Sequence, residues 1–116
     1  MFALVVLLAT LHLTAKDNHR TFTVKPRTAI VVTLASNPST GFQWKYKPSK
    51  GGGKVVKLVS DRYVPPKKGS PPGAAGKEVW HLRAVGTGKM SMQFLDVPPG
   101  VHSTADRKIT FAIHVS

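Results

Sequence analysis

Apolar and polar side chains alternate with a period of two along most of this chain, the pattern of strands with one face in a core and the other in water. Met90-Ser91-Met92-Gln93-Phe94 alternates cleanly, and so does Ile109-Thr110-Phe111-Ala112-Ile113-His114-Val115. Trp80, Leu82 and Ala84 share one face of a further segment, and Trp44 and Tyr46 share one face of another. Thr28 to Leu34 is rich in β-branched residues and reads as a central strand, with shorter candidates at Thr21 to Val24 and Val55 to Val59. Pro, Gly and Ser interrupt the pattern at 35–41, 48–53, 65–76, 86–88 and 98–103. No window of 11 or more residues repeats at 3.6, so no long helix is expected. About seven short strands divided by such turns predict an all-β fold, an immunoglobulin-like β-sandwich.

The N-terminus departs from this pattern. An apolar run spans Phe2 to Ala9 and continues to Leu13, broken at Thr10 and His12. It is shorter than the roughly 20 apolar residues a bilayer span needs. Followed by Thr14-Ala15 and then polar Lys16-Asp17, it reads as a secretory leader over residues 1–15. The alternative is a first core strand. The leader reading leaves one domain, 16–116, and implies a secreted or vesicular (lysosomal) setting, or the periplasm in a bacterium, with no membrane insertion once the leader is removed.

Charge is the most unusual bulk property. Seventeen Lys and Arg against five acids give a formal net charge of +12, a field that attracts polyanions or an acidic protein. The cations are scattered, however, with no run longer than two, so nucleic-acid binding is not expected. A basic module for polyanions, glycans or nucleic acid, stands as the alternative function. With no cysteine there is no disulfide framework, no thiol nucleophile and no thiolate metal site. The five acids show no local pairing, and His12, His19, His81, His102 and His114 form no metal-ligand spacing. Ser39 and Ser91 lie outside any nucleophile motif. No enzyme activity, metal or cofactor is expected.

Three segments carry the functional reading. In Asn37-Pro38-Ser39-Thr40-Gly41-Phe42-Gln43-Trp44, Pro38 biases Asn37 towards extended backbone and Gly41 admits a positive φ, which shapes a stiff turn ahead of a strand with a buried Trp. By turn chemistry alone this is a plain β-turn. The eight-residue string, however, resembles the Asn-Pro-Thr-Thr-Gly-Phe/Tyr-x-Trp motif of the chagasin family of cysteine peptidase inhibitors. The second segment runs from Tyr63-Val64-Pro65-Pro66 to Gly73-Ala74-Ala75-Gly76-Lys77-Glu78. It is similar to that family's proline-containing loop leading through Gly-x-Gly-Gly into a strand with an aromatic, here Trp80, with Ala75 in place of a Gly. The third is Phe94-Leu95-Asp96-Val97-Pro98-Pro99-Gly100, where the family usually carries Arg-Pro-Trp and this chain has Asp96-Val97-Pro98.

The resemblance covers about Asn18 to Val115. It implies an immunoglobulin-like fold and tight, reversible inhibition of papain-family (cathepsin L-like) peptidases as a monomer in a one-to-one complex. It places Ser39 and Thr40 over the enzyme's Cys–His pair, with Asn37, Pro38, Gly41 and Phe42 around them. Gly73, Ala74, Ala75 and Gly76 grip one side of the cleft, and Asp96, Val97, Pro98, Pro99 and Gly100 the other.

Overall fold

The computed structural model describes residues 9–100 and 107–116. Eight strands form two four-stranded sheets: β1 (Thr10–Leu13), β2 (Thr21–Val24), β3 (Ala29–Ser36), β4 (Gln43–Pro48), β5 (Val56–Val64), β6 (Gly76–Ala84), β7 (Gly88–Val97) and β8 (Arg107–Val115). The first sheet has the order β1-β3-β6-β5 and the second β2-β8-β7-β4. Neighbours are antiparallel except at two places: β1 runs parallel to β3, and β2 parallel to β8.

The alternation seen in the sequence becomes the inside–outside alternation of the sandwich. Ile30, Val32 and Leu34 of β3, Trp80, Leu82 and Ala84 of β6, Met90, Met92 and Phe94 of β7, and Ile109, Phe111, Ile113 and Val115 of β8 are all buried between the sheets. An aromatic chain crosses the core. The Trp80 and Phe94 rings lie 4.6 Å apart, and Phe94 meets Phe111 edge-on at 5.9 Å. Such pairs are worth about 0.5–1.5 kcal/mol each beyond the area they bury.

Three boundaries differ from the sequence expectation. The strand expected at Val55 to Val59 continues to Val64. The polar run Ser60-Asp61-Arg62 breaks its alternation, and a register shift between Leu58 and Ser60 accounts for that: Val59 is an extra residue, 61% exposed, in a β-bulge on an edge strand. Asp96 and Val97, expected in a loop, are the last residues of β7. Gly76, Lys77 and Glu78 likewise belong to β6 rather than to the loop before it.

The N-terminus supplies the eighth strand. Residues 1–8 of the expected leader lie outside the described residues, but from Ala9 the chain is part of the first sheet. The Ala29 N–H donates to the Ala9 carbonyl at 3.1 Å, β1 pairs with β3 from Thr10↔Ala29 to Leu13↔Val32, and Leu13 is fully buried. A capping box follows, in which the Thr14 N–H donates to Asp17 Oδ2 at 3.0 Å and Asp17 also pairs with Arg20. A cut after Ala15 would remove a strand and a core side chain; a cut before Thr10 would spare both.

Candidate functional site

The ladder registers bring the three segments to one end of the sandwich. Ser36 at the end of β3 faces Gly76 at the start of β6, and Gln43 at the start of β4 faces Val97 at the end of β7. The turn after β3, the long connection from β5 to β6 and the turn after β7 therefore leave from the same edge.

The first turn is stiff because its polar groups satisfy one another. Pro38 to Thr40 form one short helical turn, closed by the Thr40 N–H on the Asn37 carbonyl at 3.1 Å and the Gly41 N–H on the Pro38 carbonyl at 2.9 Å. The Ser39 hydroxyl donates to Asn37 Oδ1 at 2.6 Å, and the Thr40 hydroxyl donates to the Asn37 carbonyl at 2.7 Å. Both hydroxyl protons are thus committed within the turn, and both oxygens keep accepting lone pairs. Gly41 has φ +85°, where a side chain is strained, and a Cβ there would come to 3.1 Å from Pro99 Cγ. Below the turn, Trp44 is half-buried rather than buried as expected, packs edge-on against Trp80 at 6.4 Å, and donates its indole N–H to the Ala35 carbonyl at 2.9 Å.

Asn37 also ties the first turn to the second, its Nδ2 donating to the Gly73 carbonyl at 3.1 Å. Gly73 has φ +80° with open space around it, so a tight bend alone explains the glycine. Ala75 is exposed and has no positive φ, so the fold tolerates its methyl group. Gly76 behaves differently from its expected role. It is buried, and a Cβ there would strike the Val64 carbonyl oxygen and the Tyr63 ring. It is a site of close strand packing beneath the loop, and its surface is not offered to a partner.

The third segment projects Pro98, Pro99 and Gly100 beyond β7; residues 101–106 lie outside the described residues. Asp96 lies opposite Arg107 across the β7–β8 ladder, with 4.0 Å between Oδ2 and Nε. The Arg107 guanidinium in turn lies 5.2 Å from the centre of the Trp44 ring. Asp96 therefore helps hold a cation over an aromatic at the base of the site. A shallow depression of about 310 Å³ joins the three segments, lined by Ser36, Asn37, Thr40, Phe42, Ala75, Asp96 and Arg107 among others.

Sequence inspection missed one pair. Asp61 and Glu78 stand seventeen positions apart in the chain (78 − 61), but the β5–β6 ladder makes them neighbours, both on the inner register just below the second loop. Burial, and then the hydrogen bond and charge of Asp61, push Glu78 up to about 7. Only the register, through the bulge at Val59, reveals the pairing. Among the described residues no cluster of three or more His, Cys, Asp or Glu side chains could hold a metal ion.

Comparison with known proteins gives a consistent picture. The sequence model described as chagasin family peptidase inhibitor I42 matches residues 23–115. No curated protein sequence matches the chain. Among solved structures, the fold is similar to that of the cysteine protease inhibitor EhICP2 from Entamoeba histolytica, with a TM-score of 0.79 at 22% identity, covering 93% of this chain and 96% of that one. It is also similar to PbICP-C, solved in complex with falcipain-2, with a TM-score of 0.60 at 13% identity over 93% of this chain and 98% of that one. The solution structure of amebosin matches with a TM-score of 0.56 at 20% identity, over the same 93% and 98%.

Proposed function

The chain belongs to the chagasin family of peptidase inhibitors, and from that premise we propose that it inhibits papain-family cysteine peptidases by wedging the three segments at one end of its sandwich into the substrate cleft. The observation that carries this is their convergence: Asn37 Nδ2 bonds the Gly73 carbonyl at 3.1 Å, and Gly41 lies against Pro99. A solved relative in complex with falcipain-2 supports a cysteine peptidase as the partner.

The geometry suits a blocker. The turn from Asn37 to Gly41 is ordered by its own hydrogen bonds, so little entropy remains to be lost on binding. Ser39 and Thr40 offer acceptor lone pairs, which suit the imidazolium of a Cys–His pair. Because their backbone is curled into a helical turn, no extended peptide is presented to the nucleophile in attack geometry. Exposed Gly73 and Ala75 flank one side of the wedge, and Pro98 to Gly100 the other. Interfaces of about 1,600 Å² reach nanomolar affinity, about −12 kcal/mol, when preorganised. The inhibitor acts as a monomer, one per peptidase, in a secreted or vesicular setting.

Titration of papain with the whole chain tests the reading. Stoichiometric inhibition is expected, and Thr40→Arg should raise Ki by ~100-fold or more, about 2.7 kcal/mol, with Tm unchanged. Equal potency of the variant and the parent would remove the first turn from the interface.

A further inference from the structure

The cations that look scattered in the sequence are gathered by the fold. On the first sheet, the outward register of β5 carries Lys57, Ser60 and Arg62, and that of β6 carries Lys77, Val79, His81 and Arg83. None of the described acids lies on this face. Asp17 belongs to the capping box, Asp61 and Glu78 take the inner register, and Asp96 lies on the other sheet. Lys57 and Arg83 are directly opposite each other across the ladder. Like charges at such a position destabilise a sheet, and no acid among the described residues stands beside this pair to offset the repulsion. Next to it, Ser60, Arg62, His81 and Arg83 line a shallow depression.

From these observations we infer that the outer face of the β1-β3-β6-β5 sheet is a second binding surface, for a sulfated polysaccharide. Lys77 and Arg83 are six residues apart on one strand (83 − 77), roughly 20 Å at 3.3 Å per residue. With Arg62 and Lys57 alongside, they form a cationic track parallel to the strands that suits a linear polyanion. The two arginines present planar forks, which bind oxyanions such as sulfate through paired hydrogen bonds. Single-stranded nucleic acid fits less well, because binders of that kind stack bases on aromatic rings and the outward register of β1, β3, β5 and β6 holds no Phe, Tyr or Trp. The outer face of the second sheet is also cationic, with Lys45, Lys47, Lys89 and Lys108, but there Lys45 and Lys108 face Leu95, Lys47 faces Gln93 and Lys89 faces His114. No Lys–Arg pair concentrates charge on that side. Lys77 adjoins the second loop, but the Lys57–Arg83 pair, where charge is most concentrated, lies at the far end of β6, so a polysaccharide seated on that half of the track leaves the loops open to a peptidase.

The two faces provide the test. Heparin is titrated into the whole chain by calorimetry, and into two double variants that lose the same charge: Lys57→Ser with Arg83→Ser, and Lys45→Ser with Lys47→Ser. The expected result is roughly a tenfold or greater loss of heparin affinity in the first and less than threefold in the second. Tm of the first should be equal to or above the parent, since a repulsive pair is relieved, and papain inhibition should be unchanged with or without heparin. Equal losses in the two variants would mean that net charge alone drives binding, and would overturn the proposal. So would single-stranded or duplex DNA binding more tightly than heparin with the same dependence on Lys57 and Arg83.

Discussion

Asn37 and Glu78 show what individual residues contribute and how differently they announce it. Asn37 lies in a motif visible in the sequence, yet its work is structural: its side-chain oxygen accepts from the Ser39 hydroxyl, its carbonyl accepts from the Thr40 hydroxyl, and its amide donates to the Gly73 carbonyl. A string of letters can mark such a residue without showing that it is the hub. Glu78 is invisible in the sequence because its partner Asp61 becomes a neighbour only through strand register. Its raised pKa makes a prediction. Below its ordinary value of 4.5 both folded and unfolded chains hold the proton; between 4.5 and about 7 only the folded chain does; above 7 neither does. The folded state then binds more protons than the unfolded state inside that window, so stability should fall as pH rises from 4.5 to 7 and level off beyond. Urea unfolding across this range should show the slope in the parent and a flatter profile in Glu78→Gln. Identical profiles would mean that Glu78 keeps its ordinary pKa in the folded chain.

At the scale of elements, the seven expected strands correspond to β2 through β8, because each buries one face and so carries a period of two. The ends were less legible. β5 runs through Ser60-Asp61-Arg62 because an edge strand tolerates polar residues and a bulge resets its phase. β1 was hidden for a different reason: an apolar run at the start of a chain looks the same whether it is a leader or a strand buried against a sheet. Its pairing with β3 and the burial of Leu13 predict that a chain beginning at Lys16 is markedly less stable than the whole chain. Removing a fully buried Leu costs about 2–5 kcal/mol, so Tm should drop by roughly 10 °C or more. Thermal unfolding of the two chains decides it, and matching Tm values would show that β1 is dispensable.

At the scale of the molecule, the sandwich assigns its end to the loops and its flanks to charge. The convergence of three segments distant in sequence was legible only through a family motif; periodicity alone reaches a sandwich and stops there. Part of the formal charge of +12 lies on the two outer faces, and Lys67 and Lys68 lie in the long connection from β5 to β6; a field of that sign would steer an acidic peptidase towards the loop end. With an acidic peptidase, raising the salt from about 50 to 500 mM should slow association by roughly tenfold while dissociation changes little. Stopped-flow rates that ignore salt would leave the charge with no part in encounter.

The parallel pairing of β2 with β8, Thr21 against Ala112 through Val24 against Val115, reaches into the life history of the chain. The second sheet has β8 between β2 and β7, so β2 waits for a partner 91 positions further along the chain (112 − 21). Contacts between such distant parts of a chain form slowly, and on a ribosome these cannot form until β8 has emerged. A chain that stops short of Arg107, nascent or clipped, therefore lacks the strand that joins β2 to β7, and its inhibitory potency should switch on only once β8 is in place.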